Sequence, residues 1–178
     1  MLSWFIKGFI LTIALFINFD YCYAFSDKWL DRATDQIKMH EGWNDTTYKD
    51  SKGISTIGYG FNVNESYIRA YIKKYIRNVN KLTKSEGDKI LRSIIIDIHL
   101  PSLRSIYKHF DKLPSNVKIA LLDMHYNLGR TKLLKFKKMN EAINKRNFGK
   151  ASYEAYNSKW RKDVGERALL IINLIRNS

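Results

Sequence analysis

Two carboxylates and a hydroxyl group lie close together in residues 40–63, HEGWNDTTYKDSKGISTIGYGFNV, at Glu41, Asp50 and Thr56. A protonated carboxylic acid can donate a proton to a leaving group, and an ionised carboxylate can accept one from water. Two such groups about 6.5–9.5 Å apart can hydrolyse a glycosidic bond with inversion of the anomeric carbon. Spacing alone does not decide this, because a glutamate at a helix end, an aspartate in a turn and a threonine in a strand are each common.

The element that carries Glu41 is predicted to be a helix. Residues 26–42, SDKWLDRATDQIKMHEG, place apolar side chains at every fourth position, with Ser26 or Asp27 as the cap and Gly42 as the stop. Glu41 therefore falls at the helix C-terminus. The backbone carbonyls there carry negative partial charge, which favours the protonated form of a carboxylic acid.

The element that carries Asp50 and Thr56 is predicted to be a β-hairpin. Residues 47–49 and 54–57 are rich in β-forming side chains, and they flank the turn sequence DSKG. Asp50 begins the turn, and Thr56 lies on the second strand.

Helical patterns fill the rest of the chain. The predicted helices span residues 64–76, 83–98, 115–129 and 133–177, the last range holding two or three of them. The second opens with a capping box, TKSE, and should be broken at Pro101. One small β element followed by helices predicts an α+β fold with a site in the cleft between the two parts.

Composition and charge fit one folded domain that meets a polyanion. The chain has 178 residues, of which 45% are hydrophobic, so it can bury a core. Its net charge is +14, which indicates a polyanionic surface or substrate: nucleic acid, anionic lipid or an acidic cell-wall polymer.

The first 24 residues have the pattern of an export signal. Lys7 precedes an apolar run over residues 8–19, shorter than the roughly 20 residues of a membrane-spanning helix. Small residues at Cys22 and Ala24 fit cleavage after Ala24. We therefore expect residues 1–24 to be a signal peptide, with an uncleaved anchor as the alternative, and the protein to be secreted or periplasmic. Cys22 is the only cysteine, so the mature chain would hold no disulfide.

The sequence EGWNDTTYKDSKGISTIGYG resembles the active-site signature of the phage-type lysozymes, a family of glycoside hydrolases also called endolysins or muramidases. Glu41, Asp50 and Thr56 match its three catalytic positions by type and by interval. Weaker similarity covers most of residues 28–176. For residues 25–178 the resemblance implies a lysozyme-like α+β catalytic domain, with a small β-hairpin lobe, a larger helical lobe and the active-site cleft between them.

The resemblance also implies a substrate and roles. The family cleaves the β-1,4 bond between N-acetylmuramic acid and N-acetylglucosamine in peptidoglycan. Glu41 would protonate the glycosidic oxygen, while Asp50 and Thr56 would activate water on the opposite face with inversion.

Three further residues follow from the same comparison. An arginine at the position of Arg167 supports the catalytic glutamate in the family. Asn62 and Tyr126 lie at positions that could contact sugar. However, Asn62 belongs to a Phe-Asn pair that replaces a common His-Leu, and Tyr126 could equally pack in the core.

Other functions stay open on the sequence alone. A lytic transglycosylase would cleave the same bond without water and would not need Asp50 and Thr56. A catalytically silent wall-binding protein would suit basic clusters such as KLLKFKK, residues 132–138. A nucleic-acid-binding protein has the least support, because no nucleic-acid motif is present.

The partners expected from the sequence are few. HEGWN is not the zinc motif H-E-x-x-H, and the four histidines show no metal-binding spacing. We expect no metal and no cofactor, a monomer that acts on peptidoglycan, no nucleic acid, and membrane contact only through the N-terminal signal.

Overall fold

The computed structural model of the chain describes residues 28–76 and 81–178. The helices are, in chain order, α1 (Lys28–Glu41), α2 (Ser66–Tyr75), α3 (Lys84–Ile94), α4 (Leu100–Ile106), α5 (Ser115–Leu133), α6 (Lys137–Asn144), α7 (Phe148–Tyr156), α8 (Lys159–Val164) and α9 (Glu166–Arg176). The strands are β1 (Asn44–Lys49), β2 (Ser55–Gly58) and β3 (Phe61–Asn62). The predicted export signal at residues 1–24 and the predicted cap at Ser26 or Asp27 lie outside the described residues.

The β part is a small antiparallel sheet in the order β1-β2-β3. Tyr48 on β1 and Asn62 on β3 are both paired with Thr56 on β2. The predicted hairpin is therefore present, and a short third strand is added to it. A sheet followed by helices confirms the predicted α+β organisation.

The first helix ends where the sequence predicts. Gly42 follows Glu41 with φ of 69°, and its amide donates a hydrogen bond to the carbonyl of Lys38. This left-handed conformation is the common way for a glycine to end a helix. The turn at Gly42 fixes the direction in which the chain leaves α1, directly after Glu41.

Pro101 does not end a helix as the sequence predicts. The chain passes from α3 through a π-helical turn, Ile95–His99, directly into α4. The amide of Leu100 donates to the carbonyl of Ile95, so the wider turn brings Pro101 into the first turn of α4. A proline is tolerated there, because its missing amide hydrogen has no helical partner to lose.

The C-terminal region also differs from the prediction, because residues 137–176 form four helices rather than two or three. Asn147 caps α7 and Ser158 caps α8, each by accepting a hydrogen bond from a backbone amide. Gly165, with φ of 66°, separates the last two. These polar caps lie between short apolar stretches that sequence periodicity alone merges into longer helices.

The core is centred on α5, which is buried along most of its first four turns. Helices α1 and α9 pack against it, and α9 also packs against α7. The C-terminal half of α1 and the N-terminal end of α9 therefore meet near the same part of α5. Within the described ranges, no helix is long and apolar enough to cross a membrane.

Candidate active site

Glu41 is the last residue of α1, and its carboxylate touches the turn that leaves β2. Gly60 lies in this turn with φ of 78°, and a Cβ atom placed on it would lie 3.1 Å from Oε2 of Glu41. The backbone can come this close only because residue 60 has no side chain. The Glu41 side chain remains 21% exposed, so it is accessible to a ligand.

Arg167, at the start of α9, holds the other oxygen of Glu41. Its Nη1 donates a 2.7 Å hydrogen bond to Oε1 of Glu41, and its Nε donates a 2.9 Å hydrogen bond to Oδ1 of Asp123. Nη2 lies 2.8 Å from the same Asp123 oxygen without a hydrogen bond. Burial alone would lower the pKa of Arg167, but the carboxylates of Asp123 and Glu41 outweigh it and raise that pKa. The guanidinium therefore stays charged.

Asp123, on α5, is a fully buried carboxylate with a polar partner on each side. Its Oδ2 accepts hydrogen bonds from Nε2 of Gln36 at 2.7 Å and from Nδ1 of His40 at 2.8 Å. Its side chain has no exposed surface. Together Gln36, His40, Glu41, Asp123 and Arg167 form one connected set, which we call the Asp123 network.

Asp50 and Thr56 are fixed by the hairpin itself. Oδ1 of Asp50 accepts 2.8 Å hydrogen bonds from the amides of Lys52 and Ile54. Thr56 is buried in the central strand, and its hydroxyl donates to the carbonyl of Ile54 at 3.1 Å. In chain order, Asp50 therefore precedes β2, Thr56 lies on β2, and Gly60, which contacts Glu41, follows β2.

Asn62 and Tyr126 occupy different settings. Asn62 is the cross-strand partner of Thr56, so the two side chains share a face of the sheet. Its Oδ1 accepts a hydrogen bond from the amide of Asn64. The hydroxyl of Tyr126 donates to the carbonyl of Tyr59 at 2.7 Å, and this bond ties α5 to the turn that touches Glu41.

A pair of histidines lies behind Tyr126. The ring of His99 is 5.1 Å from the ring of Tyr126, and its Nδ1 is 2.7 Å from Nδ1 of His125. Nε2 of His125 is 2.7 Å from the hydroxyl oxygen of Ser102. Desolvation, with the partner ring second, lowers the pKa of His99 to about 3. Desolvation and Arg130 lower that of His125 to about 4, so both rings are neutral near pH 7.

Sequence reasoning missed Gln36, His40 and Asp123. One signal was available: Asp123 interrupts the apolar run IALLDM, and a carboxylate in a run of buried positions requires a partner. The partner could not be read from the sequence, because Arg167 and Gln36 are far from Asp123 along the chain.

A basic groove of about 1000 Å³ joins the hairpin turn to the helical part. We call it the lysine groove, and the lysines that line it are Lys52, Lys132, Lys135, Lys137, Lys138 and Lys159. Phe136 and Trp160 add aromatic surface, while Glu154 and Asp163 supply the acidic side chains of the lining. Since Lys52 belongs to the turn that Asp50 begins, the groove lies beside the candidate site.

Among the described residues, no group of three His, Cys, Asp or Glu side chains is arranged to hold a metal ion.

Comparison with known proteins agrees with this geometry. A family model described as "Phage lysozyme" matches residues 38–174. Two proteins of Dictyostelium discoideum, named "Probable T4-type lysozyme 2" and "Probable T4-type lysozyme 1", are 27% and 26% identical to the chain. Each match covers 79% of this chain and 91% of the relative. The chain therefore belongs to the phage lysozyme family, which implies a peptidoglycan hydrolase.

Proposed function

We propose that this protein is a muramidase that hydrolyses the β-1,4 bond between N-acetylmuramic acid and N-acetylglucosamine with inversion. Glu41 is the general acid, and Asp50 with Thr56 activates the water. The observation that carries this proposal is the contact of the Glu41 carboxylate with Gly60, directly after the strand that bears Thr56. It joins the acid to the element that carries the water-activating pair.

The hydrogen bonds of the hairpin define how the water would be held. The hydroxyl hydrogen of Thr56 is directed to the carbonyl of Ile54, so the oxygen Oγ1 is left to accept a hydrogen bond. Oδ1 of Asp50 is occupied by two amides, which fixes the carboxylate and leaves Oδ2 to take a proton. A water with one hydrogen on each group would direct its lone pair at the anomeric carbon.

The proton balance is then complete. Glu41 gives its proton to the glycosidic oxygen as the bond to the anomeric carbon breaks. The water oxygen bonds to that carbon from the opposite face and loses a proton to Asp50. Exchange with solvent restores both groups for the next turnover.

The proposal is tested by clearing of purified peptidoglycan with the full chain and two pairs of variants. Glu41→Gln and Asp50→Asn should each lower the rate of reducing-end release by at least about 10²-fold. Glu166→Gln and Asp35→Asn are matched controls, because both remove exposed carboxylates. If the folded Glu41 and Asp50 variants cut as fast as these controls, the assigned roles are wrong.

Two rival functions would give different results in the same assay. A lytic transglycosylase would release anhydro-muramic ends and would tolerate Asp50→Asn. A silent wall-binding protein would bind peptidoglycan and release no ends.

We also propose that the protein is exported as a monomer, with residues 1–24 removed as a signal peptide. N-terminal sequencing of the protein recovered outside an expressing cell should begin at Phe25. Recovery of the intact N-terminus in the membrane fraction would favour an uncleaved anchor instead.

A further inference from the structure

Asp123 is an unusual residue for the centre of a core helix, because a carboxylate without exposed surface must be compensated. Four nitrogen atoms surround it: Nε2 of Gln36, Nδ1 of His40, and Nε and Nη2 of Arg167, all at 2.7–2.9 Å. The same arginine donates to Glu41 through Nη1. Arg167 therefore links Asp123 to Glu41.

The hydrogen-bond partners of His40 indicate which of its ring nitrogens carries hydrogen. Its Nδ1 faces an Asp123 oxygen, while its buried Nε2 has no hydrogen-bond partner among the described residues. A proton on Nε2 would be a buried donor without an acceptor, which costs more than a bare lone pair. The neutral ring with hydrogen on Nδ1 fits this arrangement.

The charge of the Asp123 network then depends on Glu41. With a neutral His40, the positive charge of Arg167 is balanced by the negative charge of Asp123. The network is neutral when Glu41 is protonated, and it carries one negative charge when Glu41 ionises. Without the Asp123 charge the preference would reverse, because Arg167 would be balanced only by an ionised Glu41.

We propose that Asp123 is a positioning residue that keeps Glu41 protonated, by neutralising Arg167 and holding its guanidinium in place. The inference rests on the role of Glu41 as proton donor, as proposed above. It explains how an acid can be hydrogen-bonded to an arginine and still have a proton to give.

The other ionisable groups near Glu41 do not provide this balance. The phenol of Tyr126, on α5, interacts with Glu41, but burial raises the pKa of that phenol well above its usual range and keeps it neutral. Tyr67, on α2, interacts with Tyr126 and is also raised in pKa by burial. The turn after β2 contacts Glu41 through Gly60, which has no ionisable group. Asp50, in the hairpin turn, is bonded to the backbone amides of that turn.

The first test uses the unmodified protein. Carboxyl ¹³C resonances of Asp123 and Glu41 are followed by NMR across the pH range in which the protein stays folded. Asp123 should remain ionised at every pH at which Glu41 loses its proton. If Asp123 is protonated near neutral pH, or if Glu41 ionises first, the inference is wrong.

The second test compares two isosteric changes of aspartate to asparagine, one inside the Asp123 network and one outside it. Asp123→Asn removes the charge, and Gln36 and His40 can adapt by turning the amide and changing the ring tautomer. Its alkaline limb of kcat/KM on soluble peptidoglycan fragments should move to lower pH by about one unit or more. That shift is about a tenfold loss of activity on the limb.

Asp35→Asn is the matched control, because it makes the same chemical change at an exposed carboxylate of α1 that lies outside the Asp123 network. It should leave the alkaline limb where it is, even if the free energy of unfolding falls. Equal losses at every pH in Asp123→Asn would indicate a purely structural role and overturn the inference. The NMR titration needs no catalysis, so a protein that titrates as predicted and never cuts would contradict the muramidase proposal alone.

Discussion

The hydroxyl of Thr56 is buried and has one fixed hydrogen-bond acceptor. Because its hydrogen is bonded to the Ile54 carbonyl, its oxygen is restricted to accepting. A water beside Asp50 would therefore find a fixed acceptor on each side. The role assigned to Thr56 depends on its hydroxyl and not on its shape.

A pair of substitutions separates the effect of the Thr56 hydroxyl from the effect of its shape. Thr56→Ser keeps the hydroxyl and should retain most of the activity, whereas Thr56→Val keeps the shape and should lose about 10²-fold in kcat. Reducing-end release and urea unfolding would be measured for both. Equal activity of the two folded variants would remove Thr56 from the mechanism.

For single residues, the sequence is most informative where the members of a candidate site lie close together along the chain. Glu41, Asp50 and Thr56 lie in one segment whose turns are fixed by nearby glycines, so residue type and interval were enough to propose them as a set. The Asp123 network could not be found in this way. Glu41 and Arg167 are 126 residues apart, and Gln36 and Asp123 are 87 apart, so only tertiary packing brings them together.

At the scale of elements, the sheet is held to the helical part by an aromatic contact. The ring of Trp43 lies 4.8 Å from that of Tyr59, and its edge covers the backbone of Gly87 on α3. A Cβ atom on Gly87 would overlap the Trp43 ring. The helix therefore needs a glycine in its interior in order to seat the sheet.

Gly87→Ala should lower the free energy of unfolding by about 1–3 kcal/mol, because the overlap outweighs the better helix propensity of alanine. Gly149→Ala, on α7, is the matched control. A Cβ there would meet its closest atom at 3.9 Å, so the change should be neutral or stabilising by up to about 1 kcal/mol. Urea unfolding of both variants checks this, and a Gly87→Ala protein as stable as the control would contradict it.

The π-helical turn and α5 are joined by the pair of His99 and His125. Both have pKa values below the ordinary 6.5, at about 3 and about 4. As the pH falls below about 6.5, the unfolded chain binds protons at these rings and the folded chain does not. Stability from the pair is therefore complete above about pH 6.5 and is lost as the pH falls toward about 4 for His125 and about 3 for His99.

Removing one ring should flatten this dependence. His125→Gln should lower stability at pH 7.5 but should lose less between pH 7.5 and pH 5 than the unmodified protein. The difference in slope is up to about 1.4 kcal/mol per pH unit for each ring. His109→Gln, at an exposed position, is the control and should follow the unmodified protein. Parallel curves for all three would show that the pair does not set the acid sensitivity.

Two helical boundaries show why the sequence does not predict every element correctly. Pro101 could be placed in a helix only through the wider turn before it, and that turn depends on packing rather than on any residue pattern. Likewise, Gly165 ends α8 and also begins α9, so the sequence alone does not separate two helices there.

At the scale of the whole molecule, the net charge of +14 is concentrated in part around the lysine groove. Bacterial walls are anionic, so long-range attraction should raise both the association rate and the affinity for them. Such attraction is screened by salt, with a Debye length near 10 Å at 0.1 M. Binding should therefore weaken steeply as salt is added.

The groove itself can be tested by a double charge reversal. Lys135→Glu with Lys138→Glu should weaken binding to purified peptidoglycan and reduce its salt dependence more than Lys84→Glu with Lys108→Glu. The second pair makes the same change of net charge at exposed positions that do not line the groove. Binding would be measured by cosedimentation over a range of salt concentrations. Identical losses in both pairs would mean that only the net charge matters.

A muramidase adds water across the muramyl bond that it breaks, and the oxygen of that water stays in the product. The most direct measurement is digestion of purified peptidoglycan in water enriched in ¹⁸O, followed by mass spectrometry of the muramic ends at early times. We predict one ¹⁸O atom at each new reducing end, and no such ends with Glu41→Gln. Anhydro ends without ¹⁸O would identify a transglycosylase, and unmodified peptidoglycan would show that the protein does not cut it.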